Sequence, residues 1–315
     1  MEKKRRSKAP RRTSGLKKGL IILLSLFVTI ILVSVAIGAK VLYDVKGTTD
    51  KAYEPIERTQ SVKKVNLNHE KPFSVLLLGV DTGALGRTEQ GRSDTLLVAT
   101  VNPQTEKTLL VSLPRDTYTE IVGYGTMDKI NHAYAFGGTA MTIATVEKLL
   151  DIHLNYYVTI NMQGIESLVD AVGGIDVSAP FAFSYEDTEF PIGSQHLDGD
   201  KALKYSRMRY DDPEGDYGRQ GRQRQVIQGI AKQALSIKGV TGYQAILSSF
   251  DNNIKTDISF DEMETLLKKY RNAFQHIDSE QAQGEGFMQD GISYQRISPE
   301  ELTRIQNLLK EQLKE

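Results

Sequence analysis

Two aspartates stand at the ends of predicted buried strands. Asp81 directly follows the apolar run Phe73–Val80, and Asp94 comes just before the run Thr95–Val101. Strand ends can bring two carboxylates together, and such a pair suits Mg²⁺, which keeps some waters and takes other oxygens from phosphate. Aspartate is also common in turns such as Asp-Thr-Gly. The spacing is therefore consistent with a magnesium site and with ordinary turn chemistry.

A single arginine marks the end of another predicted strand. Arg115 follows the run Thr108–Leu113 within Ser-Leu-Pro-Arg-Asp-Thr. Ligands tend to bind at strand ends in open α/β sheets, so Arg115 is a candidate for binding an anion. A surface arginine paired with Asp116 is the alternative.

An acidic loop separates two groups of arginines. Together they place five arginines within 18 residues: Arg207, Arg209, Arg219, Arg222 and Arg224. If a helix begins near Arg219, then Arg219, Arg222 and Gln223 lie on one face, because residues three and four apart are neighbours on a helix. A helix N-terminus with arginines attracts phosphate through backbone N–H groups and bidentate guanidinium contacts. A solvated charge run, paired with the acids of the loop, is the alternative.

The elements that must position these residues follow from hydrophobic periodicity. Five apolar runs predict strands: Phe73–Val80, Thr95–Val101, Thr108–Leu113, Tyr156–Asn161 and Ile175–Val177. Seven segments have a helical pattern: Ala140–Leu150, Gly164–Val172, Asp198–Met208, Arg219–Ile237, Gly242–Asn252, Asp261–Phe274 and Pro299–Lys314. Ser259 and Ser298, each with a glutamate three residues later, predict capping boxes. The alternation of strands and helices predicts a layered α/β/α domain.

The N-terminus predicts a membrane anchor. Residues 1–18 contain nine basic residues and one acid, and the 21 residues Gly19–Ala39 are uncharged and nearly all apolar. A helix of that length spans about 30 Å, one bilayer core, and the basic flank predicts a cytoplasmic tail. We therefore expect a single-pass type II protein of the cell membrane with an extracellular C-terminal domain. A cleaved signal peptide and a DNA-binding basic arm are the alternatives.

The remaining chain divides into a linker and a domain. Residues 40–70 are polar and mixed in charge, as in a linker or stalk, and residues 71–315 are long enough for one α/β domain. Because the whole chain has a formal net charge of −1 and the tail is basic, this domain is mildly acidic. An anion site in it requires local clustering of cations. The chain has no cysteine and no Walker, dinucleotide-binding or nucleophile-elbow motif.

A series of short segments carries a family resemblance. In order, they are Leu-Leu-Leu-Gly-Val-Asp (76–81), Gly-Arg-Ser-Asp-Thr (91–95), Val-Ser-Leu-Pro-Arg-Asp (111–116), Lys-Ile-Asn-His-Ala-Tyr (129–134), Val-Gly-Gly-Ile-Asp-Val (172–177), Leu-Asp-Gly (197–199), Tyr-Ser-Arg-Met-Arg-Tyr (205–210), Gly-Asp-Tyr-Gly-Arg (215–219) and Arg-Gln (222–223). Their types and order resemble the LytR-CpsA-Psr family of bacterial cell-wall proteins. The resemblance covers about residues 71–235 and the anchor.

The resemblance implies a fold and an activity. The expected fold is a three-layer α/β/α sandwich with a mixed central sheet, preceded by one transmembrane helix. The expected activity is transfer of an anionic glycopolymer, such as teichoic acid or capsule, from a polyprenyl-pyrophosphate carrier to peptidoglycan. A phosphodiester would form at the muramic acid 6-hydroxyl, and the polyprenyl tail would enter an apolar tunnel. No nucleic-acid partner is expected.

The resemblance also assigns residues. The pyrophosphate would be bound by Arg115, Arg207, Arg209, Arg219 and Gln223. Asp81 and Asp94 would bind Mg²⁺, and together with Arg115 they are the candidate catalytic residues. The family often has an arginine shortly after the first aspartate, where this chain has Thr82-Gly83-Ala84. Arg87 or Arg92 could replace it, and we include Arg92 among the candidate pyrophosphate ligands.

Two other functions are compatible with the same residues. The chain could be a polyprenyl-phosphate-binding module or a regulator of the cell envelope that performs no turnover. It could also be a transcriptional regulator, which only the basic tail supports. Asp81, Asp94 and Asp116 are the candidates for the general base.

Overall fold

The computed structural model describes most of the C-terminal part of the chain. The described residues are 47, 51–56, 65–81, 91–236, 246 and 253–314. The predicted basic tail and transmembrane helix lie outside them, as do Arg87 and most of the predicted helix Gly242–Asn252. Within the described part of the chain, none of the helices has the length and apolar character needed to cross a bilayer.

Fourteen strands and six α-helices are described within these ranges. The strands are β1 (Phe73–Val80), β2 (Ser93–Asn102), β3 (Lys107–Leu113), β4 (Tyr118–Ile121), β5 (Thr126–Lys129), β6 (Tyr156–Asn161), β7 (Ile175–Ala179), β8 (Phe183–Tyr185), β9 (Thr188–Phe190), β10 (Gly193–Leu197), β11 (Ile254–Thr256), β12 (Ile277–Gln281), β13 (Glu285–Gln289) and β14 (Ile292–Arg296). The helices are α1 (His132–Leu150), α2 (Met162–Ala171), α3 (Gly199–Arg207), α4 (Asp216–Ser236), α5 (Phe260–Lys269) and α6 (Pro299–Gln312).

Six strands form the central sheet, in the order β11-β6-β1-β2-β3-β12. The pairs β1–β6 and β3–β12 are parallel, and the other three pairs are antiparallel. The sheet is therefore mixed, which confirms that part of the predicted fold.

Both faces of the central sheet are buried. Along β1, Leu76 and Leu78 point into a core that includes side chains of α1 and α6. Phe73 and Val75 point into a second core, which includes Leu266 of α5. This alternation follows from the period of two along a strand. A third core contains residues of α2, α3, α4 and β7.

One edge of the central sheet collects the ends of four strands. Because β1 and β3 are each antiparallel to β2, and β6 is parallel to β1, the C-terminal ends of β1, β3 and β6 meet the N-terminal end of β2. The register shifts at this edge, where Gly79 pairs with Thr95 and Val80 with Ser93, so Asp94 lies in a β-bulge. A Cβ on Gly79 would lie 2.8 Å from the Thr95 Cβ, so glycine permits this close approach.

The helices differ from the sequence prediction mainly at their ends. Helix α1 begins at His132, eight residues before the predicted start, and continues across a kink where Gly138 has φ 63°. Ser259 forms the predicted capping box with Glu262. Ser298 also caps its helix, but the Glu301 carboxylate accepts a hydrogen bond from the Gln283 N–H instead of completing a capping box.

Part of the predicted linker packs against the domain. Ala52 and Leu67 are buried, and the Tyr157 hydroxyl donates a hydrogen bond to the Glu54 carbonyl (2.6 Å). Tyr53 also forms a β-bridge with Thr256. The compact unit extends over Lys46–Glu315, and so begins before Lys71.

Candidate functional site

A cavity of about 270 Å³ opens at the strand-end edge of the central sheet. Its walls come from β1, β2, β8, α2, α3 and α4 and from the segments that follow β1, β3 and α3. The lining residues are Gly79, Val80, Asp81, Asp94, Thr95, Arg115, Met162, Ile165, Tyr185, Leu203, Ser206, Arg207, Arg209, Tyr210, Arg219 and Gln223. The topology therefore brings together all the candidate pyrophosphate-binding and metal-binding residues except Arg92. Asp116, a candidate general base, does not line the cavity either.

Among the candidate pyrophosphate ligands, Arg92 is the one that lies elsewhere. Its side chain is exposed and does not line the cavity. Its backbone, however, is tied to Asp81: the Arg92 N–H donates to Asp81 Oδ1 (2.6 Å), and the Asp81 N–H donates to the Arg92 carbonyl (3.2 Å). In this structure Arg92 contributes to the position of Asp81 and not to the wall of the cavity.

The two predicted metal-binding carboxylates both line the cavity. Asp81 Oδ1 accepts a hydrogen bond from the Arg92 N–H, and Asp94 Oδ1 accepts one from Arg115 Nη1 (2.6 Å). Among the described residues, no group of three or more histidine or acidic side chains is placed to hold a metal ion. A cation at Asp81 and Asp94 would complete its coordination with phosphate oxygens and water. This donor set fits Mg²⁺.

Asp216 lies behind the arginines and joins three of them. Its Oδ1 lies 2.6 Å from Arg219 Nη2, 3.5 Å from Arg209 Nε and 4.0 Å from Arg115 Nε. The three arginines come from different parts of the chain, and the Asp216 side chain is only 9% exposed. Asp216 is also the first residue of α4, where the helix dipole favours a negative charge.

Burial and charge act differently on two of these arginines. Burial opposes the charge of Arg115, but Asp94, Asp216 and Asp116 outweigh it and raise the Arg115 pKa above its ordinary value. Burial lowers the pKa of Arg219; Asp216 opposes this shift, while Arg115 and Arg209 add to it. Both arginines stay charged at neutral pH. Arg219 is thus a buried cation that nearby negative charge only partly compensates.

Several buried donors in the cavity wall lack a well-aligned acceptor. Among the described residues, Arg115 Nε and Arg219 Nε have no hydrogen-bond partner, and Arg219 Nη2 lies 2.6 Å from Asp216 Oδ1 but is poorly aligned with it. Buried polar groups of native proteins are nearly always hydrogen-bonded to protein or to ordered water, so these donors are available to an anion or to water. An anion that entered the cavity would meet them.

The other two arginines stand at the mouth of the cavity. Arg207 lies 3.2 Å from Glu186 and packs over the Tyr185 ring, and Arg209 packs over the Tyr210 ring. Both side chains are about one-third exposed, and Tyr210 is 91% exposed. These arginines are therefore open to solvent, in contrast to the buried Arg219.

The structure corrects the prediction that Arg222 shares one helix face with Arg219 and Gln223. Arg219 and Gln223 line the cavity as predicted, but Arg222 is 1% exposed and lies inside the protein. Three or four residues correspond to about 300° or 400° around a helix, so the three side chains spread over part of the circumference. The loop residue Asp212 and the segment before it pack on that side and enclose Arg222.

One wall of the cavity is apolar. Met162, Ile165 and Leu203 line it, and Ile165 packs against the third core. The cavity thus combines arginines and carboxylates with an apolar side, which suits an amphiphilic anion.

Comparison with known proteins identifies the family. The LytR_cpsA_psr family model matches residues 40–311. The chain belongs to the LytR_cpsA_psr family. This confirms the resemblance inferred from the sequence motifs, over a longer part of the chain than those motifs cover.

Relatives and solved structures agree with this assignment. A protein of Enterococcus faecalis (strain ATCC 700802 / V583), named polyisoprenyl-teichoic acid–peptidoglycan teichoic acid transferase TagU, is 54% identical over 297 residues, which are 94% of this chain and 98% of that protein. The crystal structure of B. subtilis TagU matches with a TM-score of 0.63 at 44% identity, covering 78% and 98% of the two chains. A structure of TagT bound to LIIa-WTA matches with a TM-score of 0.68 at 27% identity, covering 82% and 96%.

From the sequence, Asp216 belongs to the acidic loop and to the Gly-Asp-Tyr-Gly-Arg segment (215–219), but no role in the site was predicted for it. Asp216 lies three residues before Arg219, where the predicted helix begins. That spacing was the signal for a contact between the two side chains, if the helix began earlier. Tyr185 and the apolar wall carried no comparable signal, because their approach to the arginines depends on packing between distant elements.

Replacing Asp216 should destabilise the fold, because the arginines around it would repel one another without its negative charge. Asp216→Asn keeps the shape of the side chain but leaves three guanidinium groups without their shared carboxylate, so we expect unfolding free energy to fall by about 3 kcal/mol. Urea unfolding followed by circular dichroism measures this change. Inorganic pyrophosphate should recover more stability in the variant than in the wild type, because it supplies the missing negative charge.

Asp176→Asn is the matched control for this measurement. The Asp176 side chain is 60% exposed and pairs with His196 on the surface, so its loss should change stability little. An Asp216→Asn protein that unfolds at the same urea concentration as the wild type would contradict the role assigned to Asp216.

Proposed function

We propose that this chain transfers an anionic glycopolymer, such as teichoic acid, from a polyprenyl-pyrophosphate carrier to peptidoglycan and forms a phosphodiester. The observation that carries the proposal is the convergence of four arginines on one cavity that also has two carboxylates and an apolar wall. The names of the relatives and the wall teichoic acid ligand of a related structure support the same substrate class.

The reaction would exchange one phosphorus–oxygen bond for another. An acceptor hydroxyl of peptidoglycan attacks the phosphorus that carries the polymer, and the bond from that phosphorus to the bridging oxygen breaks. Polyprenyl phosphate leaves with the bridging oxygen, and the hydroxyl proton passes to a base. Such a reaction asks the protein mainly to position the groups and to stabilise charge.

The arginines would supply most of that stabilisation. Arg115 and Arg219, each with a buried Nε that has no hydrogen-bond partner among the described residues, would hold the non-bridging oxygens inside the cavity. Arg207 and Arg209 at the mouth, with Gln223, would hold the outer phosphate. Preorganised donors in a partly dry cavity need no rearrangement as charge develops, and loss of one such donor typically lowers kcat about 10²- to 10³-fold.

Asp81 and Asp94 would hold Mg²⁺ in this scheme. The ion, when bound, would offset phosphate charge at the strand-end edge of the sheet. The two residues themselves are oriented by the Arg92 N–H and by Arg115. Arg115 would therefore serve both the carboxylate and the phosphate.

The N-terminal segment would place the cavity near its substrate. A transmembrane helix over residues 19–39 would anchor the extracellular domain in the membrane that contains the lipid carrier, which raises the local concentration of donor. The Met162, Ile165 and Leu203 wall would accept the start of the polyprenyl tail.

Arg115→Ala should remove transfer activity. The variant lacks the donor that contacts both Asp94 and the cavity, so we expect the rate of polymer transfer to fall at least about 100-fold. The full chain in detergent is mixed with lipid-linked polymer, a peptidoglycan oligomer and Mg²⁺, and the linked product is quantified. Arg271→Ala, an exposed arginine that contacts the Leu235 carbonyl, is the control and should keep wild-type activity. Wild-type protein that makes no more product than Arg115→Ala would refute the proposal.

Asp94→Asn distinguishes an enzyme from a binding module. If the chain is a Mg²⁺-dependent transferase, Asp94→Asn and removal of Mg²⁺ by a chelator should each abolish transfer, while binding of polyprenyl pyrophosphate largely remains. A protein that only binds the lipid would show no transfer and no metal dependence in any form. Lipid binding and product formation are therefore measured on the same samples.

Deleting residues 1–39 tests the anchor. We expect the full chain to sediment with the membrane fraction of expressing cells and the shortened chain to lose that association. The shortened chain should keep its affinity for a short-chain prenyl pyrophosphate, since the cavity residues all follow position 78. A full chain found only in the soluble fraction would contradict the anchor.

A further inference from the structure

Arg222 is a fully buried arginine whose guanidinium faces a single segment of the chain. Its Nε donates to the Tyr205 carbonyl (2.9 Å), its Nη2 donates to the Met208 carbonyl, and its Nη1 donates to the Asp212 carboxylate. All three acceptors belong to the end of α3 or to the loop after it. The planar guanidinium thus holds three acceptors of this segment at once, which a lysine ammonium cannot reproduce in the same geometry.

Two aromatic rings pack against the Arg222 guanidinium group. The Arg222 Cζ lies 5.3 Å from the centre of the Phe183 ring and 5.9 Å from that of Tyr205. Hydrogen bonds in the plane and rings against its faces leave the group little freedom.

The segment that Arg222 holds carries the two arginines at the mouth of the cavity. Arg207 and Arg209 flank Met208, whose carbonyl is an acceptor of Arg222. Arg222 itself lies on α4, together with Arg219 and Gln223. One buried side chain therefore connects the outer pair of arginines to the helix that carries the inner arginine Arg219.

Gly218 of α4 shows how closely the loop after α3 approaches this helix. A Cβ on Gly218 would lie 2.0 Å from Asp212 Oδ2, so Asp212 packs directly on the helix backbone. Since Asp212 is also the carboxylate partner of Arg222, the loop is held against α4 by contact and by charge.

We propose that Arg222 is a positioning residue that sets the spacing between the outer and inner phosphate-binding groups. It thereby selects a ligand with two joined phosphates over one with a single phosphate. The proposal rests on the proposed function, in which the cavity binds a prenyl pyrophosphate. Two phosphates joined through one oxygen have a fixed separation, so their simultaneous binding depends on the spacing between the groups that hold them. A single phosphate can use either set of arginines and is much less sensitive to that spacing.

The experiment compares Arg222→Lys with Arg224→Lys in the full chain in detergent. Arg224 lies two residues further along α4 and is partly buried, but it donates to Ser112 (2.7 Å) and Gln281 (3.0 Å), away from the cavity. Affinities for farnesyl pyrophosphate and farnesyl phosphate are measured together with thermal unfolding. We expect Arg222→Lys to weaken pyrophosphate binding about tenfold, the equivalent of one good interaction, and phosphate binding at most about twofold. Arg224→Lys should leave the ratio of the two affinities at its wild-type value, although both variants lower the melting temperature.

A double-mutant cycle provides a second measurement that a purely structural role would not affect. Arg209→Ala should weaken pyrophosphate binding strongly in the wild-type background and much less in the Arg222→Lys background, because Arg209 is already displaced there. If Arg222→Lys fails to fold, Asp212→Asn takes its place, since it removes the charged partner in the same cluster.

The outcomes separate the two proposals. Wild-type protein that binds neither farnesyl ligand overturns the proposed function and this inference with it. Wild-type protein that prefers pyrophosphate, with the same preference in folded Arg222→Lys and Asp212→Asn, overturns only the positioning role. An equal loss of preference in Arg224→Lys also overturns it, because the effect would then belong to any buried arginine of α4.

Discussion

The structure depends on keeping like charges together in a confined space. Four arginines line one small cavity, and two like charges about 4 Å apart repel by roughly 4 kcal/mol at an effective dielectric constant near 20. Two carboxylates, the mostly buried Asp216 and the partly exposed Asp94, offset this repulsion. Asp216 faces Arg115, Arg209 and Arg219, while Asp94, which lines the cavity, accepts a hydrogen bond from Arg115. These contacts offset the repulsion only in part, since the buried Nε atoms of Arg115 and Arg219 have no acceptor in the part of the chain that the structure describes.

The mixed sheet explains why these charges meet. β2 pairs antiparallel with β1 and β3, and β6 pairs parallel with β1. The ends of these four strands therefore lie at one edge of the sheet. Short segments then place Asp81, Asp94 and Arg115 within that edge. The helices α3 and α4 form the side of the cavity. The loop between them packs tightly against α4, and this packing helps to bring their arginines close to Arg115, which follows β3.

Two kinds of arginine have different tasks in this arrangement. Arg219 faces the cavity with a lowered pKa and incomplete hydrogen bonding, which are properties of a group that gains from binding an anion. Arg222, one turn further along the same helix, is surrounded by protein acceptors and aromatic rings. Two arginines of one helix thus have different roles, one in binding and one in positioning. Their roles differ because different groups pack around them. The mild negative charge of the domain is compatible with an anion site because the relevant cations are local.

The sequence by itself determined four of the six strands of the central sheet and most of the site residues. Strands β1 and β6 begin and end where their apolar runs do, because burial on both faces produces a continuous hydrophobic signal. Motif order was enough to name the family and every cavity arginine. Tertiary structure alone decided that Asp216 joins three arginines, that Arg92 stays outside the cavity and that Arg222 is buried. These outcomes depend on contacts between residues far apart in the chain, as when Arg115 meets α4. Helical periodicity specifies which residues share a face, but only packing specifies whether that face meets a cavity, a loop or water.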